Sequence, residues 1–421
     1  MFFRPLLFAA AILSTPLLAA ENWPEFRGPT GDGHSDAKGL PVTFGDTDHV
    51  KWKTPIHGKA WSSPVIWGSQ IWLTTANPEG TELGVVLIDK DSGKILRDDT
   101  IFHNPAPQFC HQFNSYASPT PAIEEGRVYV TFGAPGTACI DTKTGKKLWE
   151  RTDFVCNHYR GAGSSPIIWK DLLIMNFDGS DHQFIVALDK NTGKTVWETQ
   201  RSVDFADLDA EGKVKNEGDY RKAFATCQVY MQDGQPVLLS SGAKAHYAYD
   251  PRTGKEIWRF DEPDAQSAAT RPVIGFGNAY IPAGFGKAGV LAIKLGGHGT
   301  LSANDLAWRL QKKAPNKPSL TLVGDLLFMV NDGGIAQCVE AKTGNVIWNE
   351  RLGGNFSASP IYADGKMYVG NEEGKFYVFE AGRQFKVLAT NEFPDGFMAS
   401  PAVSGKALYL RTKTTLYRIE N

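Results

Sequence analysis

The chain alternates short apolar runs with polar turns along nearly its whole length. In ASPTPAIEEGRVYVTFG, which begins at Ala117, an apolar stretch is followed by the polar turn EEG and then by a second run rich in Val, Tyr and Phe. β-Branched and aromatic residues between Gly, Asp and Asn turns are typical of antiparallel strands. This pattern predicts an all-β protein.

The strands are organised in a repeated unit. A unit opens with Ser-Pro or a similar pair, continues through three strands, and carries a Trp on its fourth strand. Eight such openings occur, and they begin at Ser62, Ala117, Ser164, Thr226, Arg271, Ser319, Ser357 and Ala399. Four-stranded units of about 45 residues predict a β-propeller with eight antiparallel blades. The Gly-His and Trp-Asp signature of WD40 propellers is missing.

The two ends of the chain predict how the ring closes. The last unit ends in TTLYRIEN and has room for only three strands, whereas HVKWKTPI (49–56) has the character of a fourth strand. We therefore expect an N-terminal strand to complete the last blade, which removes a free sheet edge. Residues 48–421 then form one propeller domain, and residues 21–47 form an extended segment that wraps its outside.

The most regular part of the unit is an eleven-residue turn and strand. It appears as IDTKTGKKLWE (140–150), LDKNTGKTVWE (188–198), YDPRTGKEIWR (249–259) and VEAKTGNVIWN (339–349). The Gly supplies the positive φ of a tight hairpin, and the preceding Asp and Thr satisfy backbone groups of the turn. We expect Trp149, Trp197, Trp258 and Trp348 to pack between neighbouring blades, so the repeat is structural.

Charge and the N-terminus narrow the class of protein. Lys and Arg number 44 against 46 Asp and Glu, which gives no electrostatic reason to expect nucleic-acid binding. The N-terminus, MFFRPLLFAAAILSTPLLAA, has a positive residue, a short apolar run and small residues at its end, as in a signal peptide. We expect residues 1–20 to be a signal peptide, and the protein to be exported to the periplasm or secreted. We also expect no membrane span and a monomer.

The copies ACIDTKTGKKLW, ALDKNTGKTVW and AYDPRTGKEIW resemble the tryptophan-docking repeats of quinoprotein-type propellers. That class includes the alcohol dehydrogenases that hold pyrroloquinoline quinone (PQQ) and the outer-membrane assembly factor BamB. The opening NWPEFRGPTGDGHS and the stretches GAGSSP and GFMASPAV are similar to a group of secreted PQQ-like repeat proteins of planctomycetes. The resemblance implies a PQQ-like, BamB-like propeller and no particular activity.

The quinoprotein resemblance also implies an enzymatic alternative. In those dehydrogenases adjacent cysteines form a disulfide over the quinone, and Glu, Asn and Asp hold a Ca²⁺ ion. No two of the five cysteines are adjacent here, and the calcium ligands cannot be placed on matching positions. We expect no cofactor, with a PQQ-dependent oxidoreductase using Ca²⁺, or another enzyme using His and Arg at the channel mouth, as the alternative.

The loops that lead into the innermost strands, called leading loops below, are unusually polar. Together with the loops between second and third strands they should meet at one mouth of the central channel. The candidate ligand-binding residues there are His111, Asn114, His158, Arg160, Asp178, Tyr220, Arg221, Lys244, Arg271, Lys317 and Asn355. Converging cations favour a small anionic ligand. We therefore expect a non-catalytic scaffold that binds such a ligand or a protein partner.

Cysteines and acidic runs leave further possibilities. Cys110 and Cys156 lie at equivalent positions of neighbouring leading loops, so we expect a disulfide between them. The run DFADLDAEGKVKNEGD (204–219) starts like a calcium loop, but it has Gly218 where the bidentate Glu belongs. We expect no metal site.

Overall fold

A computed structural model describes residues 22–286 and 289–421, so the expected signal peptide (1–20) lies outside the described residues. These residues form eight four-stranded antiparallel blades around a common axis. The first strand of each sheet is innermost, and Val65–Trp67 of the first sheet contacts both Ala122–Glu124 of the second and Ala402–Ser404 of the last. The predicted all-β, eight-bladed propeller is therefore confirmed.

Blades 1 to 4 follow one another along the chain. Blade 1 consists of Val65–Trp67, Gln70–Ala76, Glu82–Asp89 and Ile95–His103. Blade 2 consists of Ala122–Glu124, Arg127–Thr131, Thr137–Asp141 and Lys147–Arg151. Blade 3 consists of Ile167–Trp169, Leu172–Asp178, Gln183–Asp189 and Thr195–Gln200. Blade 4 consists of Gln228–Gln232, Gln235–Ser241, Ala245–Tyr249 and Glu256–Asp261.

Blades 5 to 8 complete the ring. Blade 5 consists of Val273–Gly275, Asn278–Pro282, Val290–Lys294 and Leu306–Leu310. Blade 6 consists of Thr321–Val323, Leu326–Val330, Ile335–Glu340 and Val346–Arg351. Blade 7 consists of Ile361–Ala363, Lys366–Gly370, Lys375–Glu380 and Val387–Glu392. Blade 8 consists of Ala402–Ser404, Ala407–Arg411, Thr415–Ile419 and, as its outer strand, Val50–Pro55. The N-terminal strand thus closes the last blade, as predicted.

A few short elements lie outside the blades. His34–Ser35 pairs in parallel with the inner strand of blade 7, and Gly299–Leu301 pairs in parallel with the outer strand of blade 4. Ala265–Gln266 and Phe285–Gly286 form a small two-stranded sheet. Two 3₁₀ turns span Lys215–Gly218 and Ala303–Asp305.

The repeated turn has the expected backbone chemistry. In blade 3, Asp189 Oδ1 accepts hydrogen bonds from the Thr192 N–H at 2.8 Å and the Thr192 hydroxyl at 3.0 Å. Gly193 follows with φ of 71°, a conformation that costs a residue with a Cβ atom about 1–2 kcal/mol. The Asp and Thr of the repeat therefore build a turn and carry no chemistry of their own.

The Trp of each repeat docks on the turn of the following blade. Trp149 of blade 2 donates its indole N–H to Lys190 O of blade 3 at 2.9 Å, and its ring lies directly over Gly193. Bonds of the same kind, 2.8–3.0 Å long, join Trp52 to Lys90, Trp197 to Pro251, Trp308 to Ala341 and Trp348 to Gly382. Trp258 is buried among apolar residues of blade 5. The repeated Gly has two roles: it adopts the positive φ of the turn, and its missing Cβ leaves room for the indole of the neighbouring blade.

At the inner end of the blades a second set of bonds links neighbouring blades at seven of the eight steps, all but that from Thr226 of blade 4 to Arg271 of blade 5. The Ser63 N–H donates to Thr120 Oγ1 at 2.9 Å, and the same backbone-to-hydroxyl bond recurs at the other six steps. The other pairs are Thr120–Ser165, Ser165–Thr226, Arg271–Ser319, Ser319–Ser359, Ser359–Ser400 and Ser400–Ser63. We call these eight residues the hydroxyl ring. Arg271 is its one member without a hydroxyl.

The N-terminal segment does not wrap the outside, and that prediction is wrong. Trp23 exchanges backbone hydrogen bonds with Ile66 on the inner strand of blade 1, and Ile123 of blade 2 donates to Pro24 O. A few residues later His34 pairs with Tyr362 on the inner strand of blade 7. Residues 23–35 therefore cross the channel and plug it, before the chain passes along blade 7 to form the outer strand of blade 8.

Arg27 anchors this plug and is fully buried. Its guanidinium donates to Pro360 O at 3.1 Å, Leu320 O at 2.6 Å, and Thr321 Oγ1 at 3.0 Å. Burial lowers the pKa of Arg27 to about 9, although the nearby Asp32 carboxylate works in the opposite direction. A cation is unexpected in a protein interior, and this one is held by the carbonyl groups of Leu320 and Pro360, which directly precede the inner strands of blades 6 and 7.

Within 22–286 and 289–421 there is no helix long and apolar enough to span a membrane.

Replacing Gly193 by Ala is expected to destabilise the fold by about 1–3 kcal/mol more than replacing Gly126 by Ala. Both glycines have a positive φ, 71° and 78°, but a Cβ at position 193 would lie 2.7 Å from the Trp149 ring, whereas position 126 is open. Urea unfolding of the two variants measures the difference. Equal losses of stability would show that the indole contact contributes nothing.

Replacing Arg27 by Ala is expected to lower the free energy of unfolding by roughly 2–4 kcal/mol, because several buried carbonyl groups lose their donor. Lys38→Ala is the matched control, since Lys38 belongs to the same segment but its side chain is 76% exposed beside Asp364. Its loss should stay within about 0.5 kcal/mol in the same urea titration. A small effect at Arg27 would contradict the anchoring role.

Candidate functional site

A cavity of about 550 Å³ occupies one mouth of the channel. The lining residues come from all eight leading loops, as the sequence predicted for the convergence of these loops. The cavity is lined by Phe26, Trp61, Ser63, His111, Phe113, Asn114, Ser118, Thr120, Arg160, Gly163, Ser165, Asp219, Lys222, Phe224, Thr226, Gln266, Ser267, Ala269, Phe285, Lys317, Ser357, Ser359, Met398 and Ser400. Phe26 belongs to the plug, so the cavity is a cup with a closed inner end.

The wall of the cup follows a simple register. In an extended chain, residues two apart point to the same side. The residues two positions before the hydroxyl ring therefore form a second ring closer to the mouth, and all eight line the cavity. They are Trp61, Ser118, Gly163, Phe224, Ala269, Lys317, Ser357 and Met398. Unlike the hydroxyl ring, this wall ring differs in chemistry from blade to blade.

Aromatic rings cover much of the wall. Trp61, Phe113, Phe224 and Phe285 line the cavity, and Phe26 joins them from the plug. Phe113 is 39% exposed and Phe285 is 44% exposed. Exposed rings beside a cavity provide flat apolar surfaces for a ligand to stack on.

One side of the cup carries a cluster of charges. Arg160 Nε lies 3.2 Å from Asp219 Oδ1, Arg160 Nη2 lies 3.3 Å from Asp219 Oδ2, and Lys222 Nζ also bonds to Asp219 Oδ1. Burial lowers the pKa of Lys222, against the effect of Asp219. Partial burial acts to raise the pKa of Asp219, but the hydrogen bonds from Lys222 and Arg160 outweigh it and hold the pKa below its usual value. The cluster of two cations and one carboxylate keeps a net positive charge.

A third cation stands on the far side. Lys317 Nζ is 3.1 Å from Glu372 Oε1, 3.6 Å from Asp332 Oδ1, and 4.0 Å from the centre of the Phe113 ring. Among the described lining residues the charged side chains are Arg160, Lys222, Lys317 and Asp219. Glu372 and Asp332 already pair with Lys317, so the net positive charge lies at the Arg160–Asp219–Lys222 cluster, where it favours a negatively charged ligand.

Four of the predicted site residues line this cup, namely His111, Asn114, Arg160 and Lys317. His111 and Asn114 also hold the loop in place. The His111 N–H donates to Arg160 O at 3.3 Å, and Asn114 Nδ2 donates to the same oxygen at 3.0 Å.

The other predicted residues serve the structure around the cup. Asp178 is buried in a two-bond ion pair with Arg201, at 2.8 and 2.7 Å. Arg271 lies in the channel, where it donates to Phe26 O at 2.6 Å and to Glu25 at 2.8 Å, so it holds the plug. His158 is buried beneath its loop, and its Nε2 accepts the Ala134 N–H at 3.0 Å.

Four more lie beside or outside the cavity. Tyr220 is exposed away from it, and Arg221 pairs with Asp207 at 2.6 and 2.9 Å. Asp207 is the first carboxylate of the calcium-like sequence that ends at Gly218, and both of its oxygens are bonded to Arg221. Lys244 donates to Phe205 O at 2.5 Å, and Asn355 donates to Glu373 at 2.9 Å.

The predicted disulfide is absent, because Cys110 and Cys156 are both free thiols. The two sulfur atoms face different surroundings. Cys110 Sγ lies 3.7 Å from Arg160 O on the loop surface, whereas Cys156 Sγ lies 3.7 Å from His158 Nδ1 in the interior of blade 3. Equivalent positions in neighbouring loops therefore do not place the side chains face to face.

Several lining residues were not predicted, and most of them are apolar or small. Trp61, Phe224 and Met398 belong to the wall ring, so counting two residues back from each residue of the hydroxyl ring would have found them. Asp219 and Lys222 lie next to the predicted Tyr220 and Arg221. Only the fold of that loop decides which neighbours face the cavity.

The sequence profile of the outer membrane protein assembly factor BamB family matches residues 68–219 and 247–385, which together make up more than half of the chain. The protein belongs to this family. Among solved structures, BamB from Moraxella catarrhalis has a TM-score of 0.58 at 14% identity, over 88% of this chain and 99% of that one. The quinohemoprotein alcohol dehydrogenase of Comamonas testosteroni has a TM-score of 0.66 at 13% identity, over 96% and 81%. These likenesses show the fold.

Sequence relatives of the BamB-family propeller include quinoprotein dehydrogenases. The quinoprotein ethanol dehydrogenase of Pseudomonas aeruginosa is 30% identical over 140 residues, which are 32% of this chain and 21% of that protein. The quinohemoprotein alcohol dehydrogenase ADH-IIG of Pseudomonas putida is 24% identical over 259 residues, or 55% and 32%. The matches span a third or less of the length of these relatives.

The residues of the cup do not fit a calcium-held quinone. Among the described lining residues Asp219 is the one carboxylate, and both of its oxygens are occupied by Arg160 and Lys222. The described residues contain no group of three or more His, Cys, Asp or Glu that could hold a metal ion. No reaction step through PQQ is therefore derived for this chain.

Buried His158 is expected to make the protein less stable as the pH falls from about 6.5 to 4. Burial lowers its pKa from 6.5 to about 4, against the nearby Asp181 carboxylate. Between these pH values His158 is protonated in the unfolded chain but stays neutral in the folded protein, so up to about 3 kcal/mol of stability is lost.

Urea unfolding at several pH values tests this. In His158→Gln the amide oxygen can still accept the Ala134 N–H. The slope of the unfolding free energy against pH should then fall by the amount that corresponds to about one proton taken up on unfolding. His182→Gln is the control, because His182 is exposed in the loop between the second and third strands of the same blade. This variant should leave the slope unchanged. Parallel curves for all three proteins would contradict the assignment.

Proposed function

We propose that this BamB-family propeller is an exported, non-catalytic protein that binds a small anionic ligand in the cup at the mouth of its channel. The observation that carries the proposal is the composition of the cup. Three cations, five aromatic rings and a ring of hydroxyl groups surround a space of about 550 Å³ with a closed inner end. Pockets of this size hold ligands of drug-like or sugar-like dimensions.

The arrangement favours a ligand with two different parts. A carboxylate or sulfate group would meet Arg160, Lys222 and Lys317, whose N–H groups form strong, charge-assisted bonds to oxygen anions. A flat or ring-shaped part would lie against Trp61 or Phe285. Acidic sugars and aromatic carboxylates have both parts, and simple inorganic anions have only the first.

The single histidine among the described lining residues supports binding better than catalysis. His111 Nδ1 accepts the Phe113 N–H at 3.3 Å, and the backbone of His111 bonds to Arg160 O. Through these contacts His111 stabilises the conformation of its loop. A PQQ-dependent oxidoreductase, the other candidate, would need a quinone site that the cup does not supply.

Thermal unfolding with pairs of matched compounds tests the proposal. Any compound that binds only the folded state raises the unfolding midpoint. Glucuronate is compared with glucose, phthalate with benzyl alcohol, and PQQ is added with and without Ca²⁺. A shift with an anion but not with its neutral partner supports the proposal. A shift only with PQQ and Ca²⁺ favours the enzyme, and no shift with any compound favours a protein partner.

For an anion that binds, Arg160→Gln or Lys317→Gln is expected to weaken the affinity about tenfold or more, because a charge-assisted hydrogen bond contributes about 1.5–3 kcal/mol. Arg221→Gln is the matched control, since Arg221 belongs to the same cluster of loops but pairs with Asp207 outside the cavity. Isothermal titration gives the three dissociation constants. Equal weakening in all three variants would mean that binding occurs elsewhere.

A further inference from the structure

Residues 104–118, the leading loop of blade 2, cross the channel mouth. The Phe113 ring lies under Lys317 Nζ at 4.0 Å, and Lys317 belongs to the leading loop of blade 6. In a ring of eight, blades 2 and 6 are four steps apart in either direction, so this contact joins opposite sides of the mouth. We call residues 104–118 the strap.

The strap is held by polar contacts near the surface. On one side Trp61 Nε1 donates to Phe113 O at 3.0 Å, and Lys59 Nζ donates to Gln112 O at 2.7 Å. On the other side Asn114 Nδ2 donates to Arg160 O at 3.0 Å. Phe109 and Phe113 are 64% and 39% exposed, so little apolar surface fixes the middle of the strap, whereas Tyr116 and Ala117 at its end pack against the core. Segments held in this way open at low cost.

We propose that the strap is a lid over the cup. In its closed position the Phe113 ring lies on Lys317 and lines the mouth of the cup. Release of Phe113 from Lys317 opens the mouth and frees the Lys317 ammonium group toward the cup. A ligand enters at this stage, and the strap closes over it with Phe113 and Trp61 as apolar contacts. The ligand part of this inference rests on the proposed function, whereas the opening of the strap does not.

Cys110 provides a reporter within the strap. Its thiol packs against Gly161 and lies 3.7 Å from Arg160 O, and burial raises its pKa to about 11. The other four cysteines are at most 2% exposed within the blades. Lifting the strap from Arg160 and Gly161 uncovers Cys110, whereas Cys139 and Cys338 lie within blade strands and are uncovered only by unfolding.

The experiment is alkylation of the native protein by iodoacetamide, followed by peptide mass analysis of each cysteine. The labelling rate of Cys110 equals the equilibrium constant for opening of the strap multiplied by the alkylation rate of a free thiol. Phe113→Ala removes the contact with Lys317, and we expect Cys110 to be labelled about two- to fivefold faster. Phe109→Ala is the control in the same strap, away from the cavity lining, and should label like the wild type.

Cys338 serves as the internal control because it is fully buried within the strand Ile335–Glu340 and becomes reactive only when blade 6 unfolds. The lid is supported if Cys110 reacts more slowly than a free thiol but faster than Cys338, and if only Phe113→Ala accelerates it. The lid is overturned if Cys110 and Cys338 react together, if Cys110 reacts at the free-thiol rate, or if both Phe variants behave alike.

Labelling in the presence of glucuronate or phthalate separates this inference from the proposed function. Slower labelling of Cys110 with an anion but not with its neutral partner supports both. Strap opening without protection by any compound leaves the lid standing and counts against the small-ligand function. Binding in the thermal assay without a change in Cys110 labelling overturns the lid and leaves the function standing.

Discussion

The inner end of this propeller depends on one hydrogen bond that recurs at seven of the eight steps between blades, from the backbone N–H just before one inner strand to the hydroxyl at the same position of the next blade. The bond from Ser400 to Ser63 ties the last blade to the first at its inner end, in addition to the chain connection from Val50–Pro55 to Val65–Trp67. Because the bonded residues lie two positions before the inner strands, the bond also fixes the direction of each leading loop. The residues two positions earlier then point into the channel mouth. The geometry of the cup is a consequence of the ring.

The N-terminal segment turns an open channel into a cup. The channel is lined by inner-strand carbonyl groups, which require donors or water when the channel is closed. Arg27 supplies several donors at once, and Trp23 adds its backbone groups to blade 1. Arg271 connects the two systems, since its backbone belongs to the hydroxyl ring while its side chain holds the plug at Phe26 O and Glu25. The single residue without a hydroxyl in the ring is therefore the one that binds the plug.

The parts of the molecule that repeat and the parts that bind lie at different places. The Asp-x-x-Thr-Gly turn and its Trp join blades to one another at the ends of the third and fourth strands, as Trp149 does with Lys190. The cup is built from leading loops, in which no two wall-ring neighbours are alike. In the described part of the chain the chemistry that could distinguish this BamB-family propeller from its relatives is found in those loops, with Arg160, Lys222 and Lys317 as its charged members.

The sequence by itself determined the local structure and the number of blades. Strand alternation, the turn residues and the eight openings are short-range signals, and so is the N-terminal strand that completes blade 8. It also identified Arg160 and Lys317 as residues of one mouth, because loops at equivalent positions of a propeller meet. Tertiary structure decided the rest. A buried Arg27 contradicts the usual preference of charges for water, and the carbonyl groups of Leu320 and Pro360, far away in the chain, make its position favourable. Likewise, Lys222 faces the cup while Arg221 pairs with Asp207, and Cys110 and Cys156 face apart, because the path of each loop depends on contacts with residues far away in the chain.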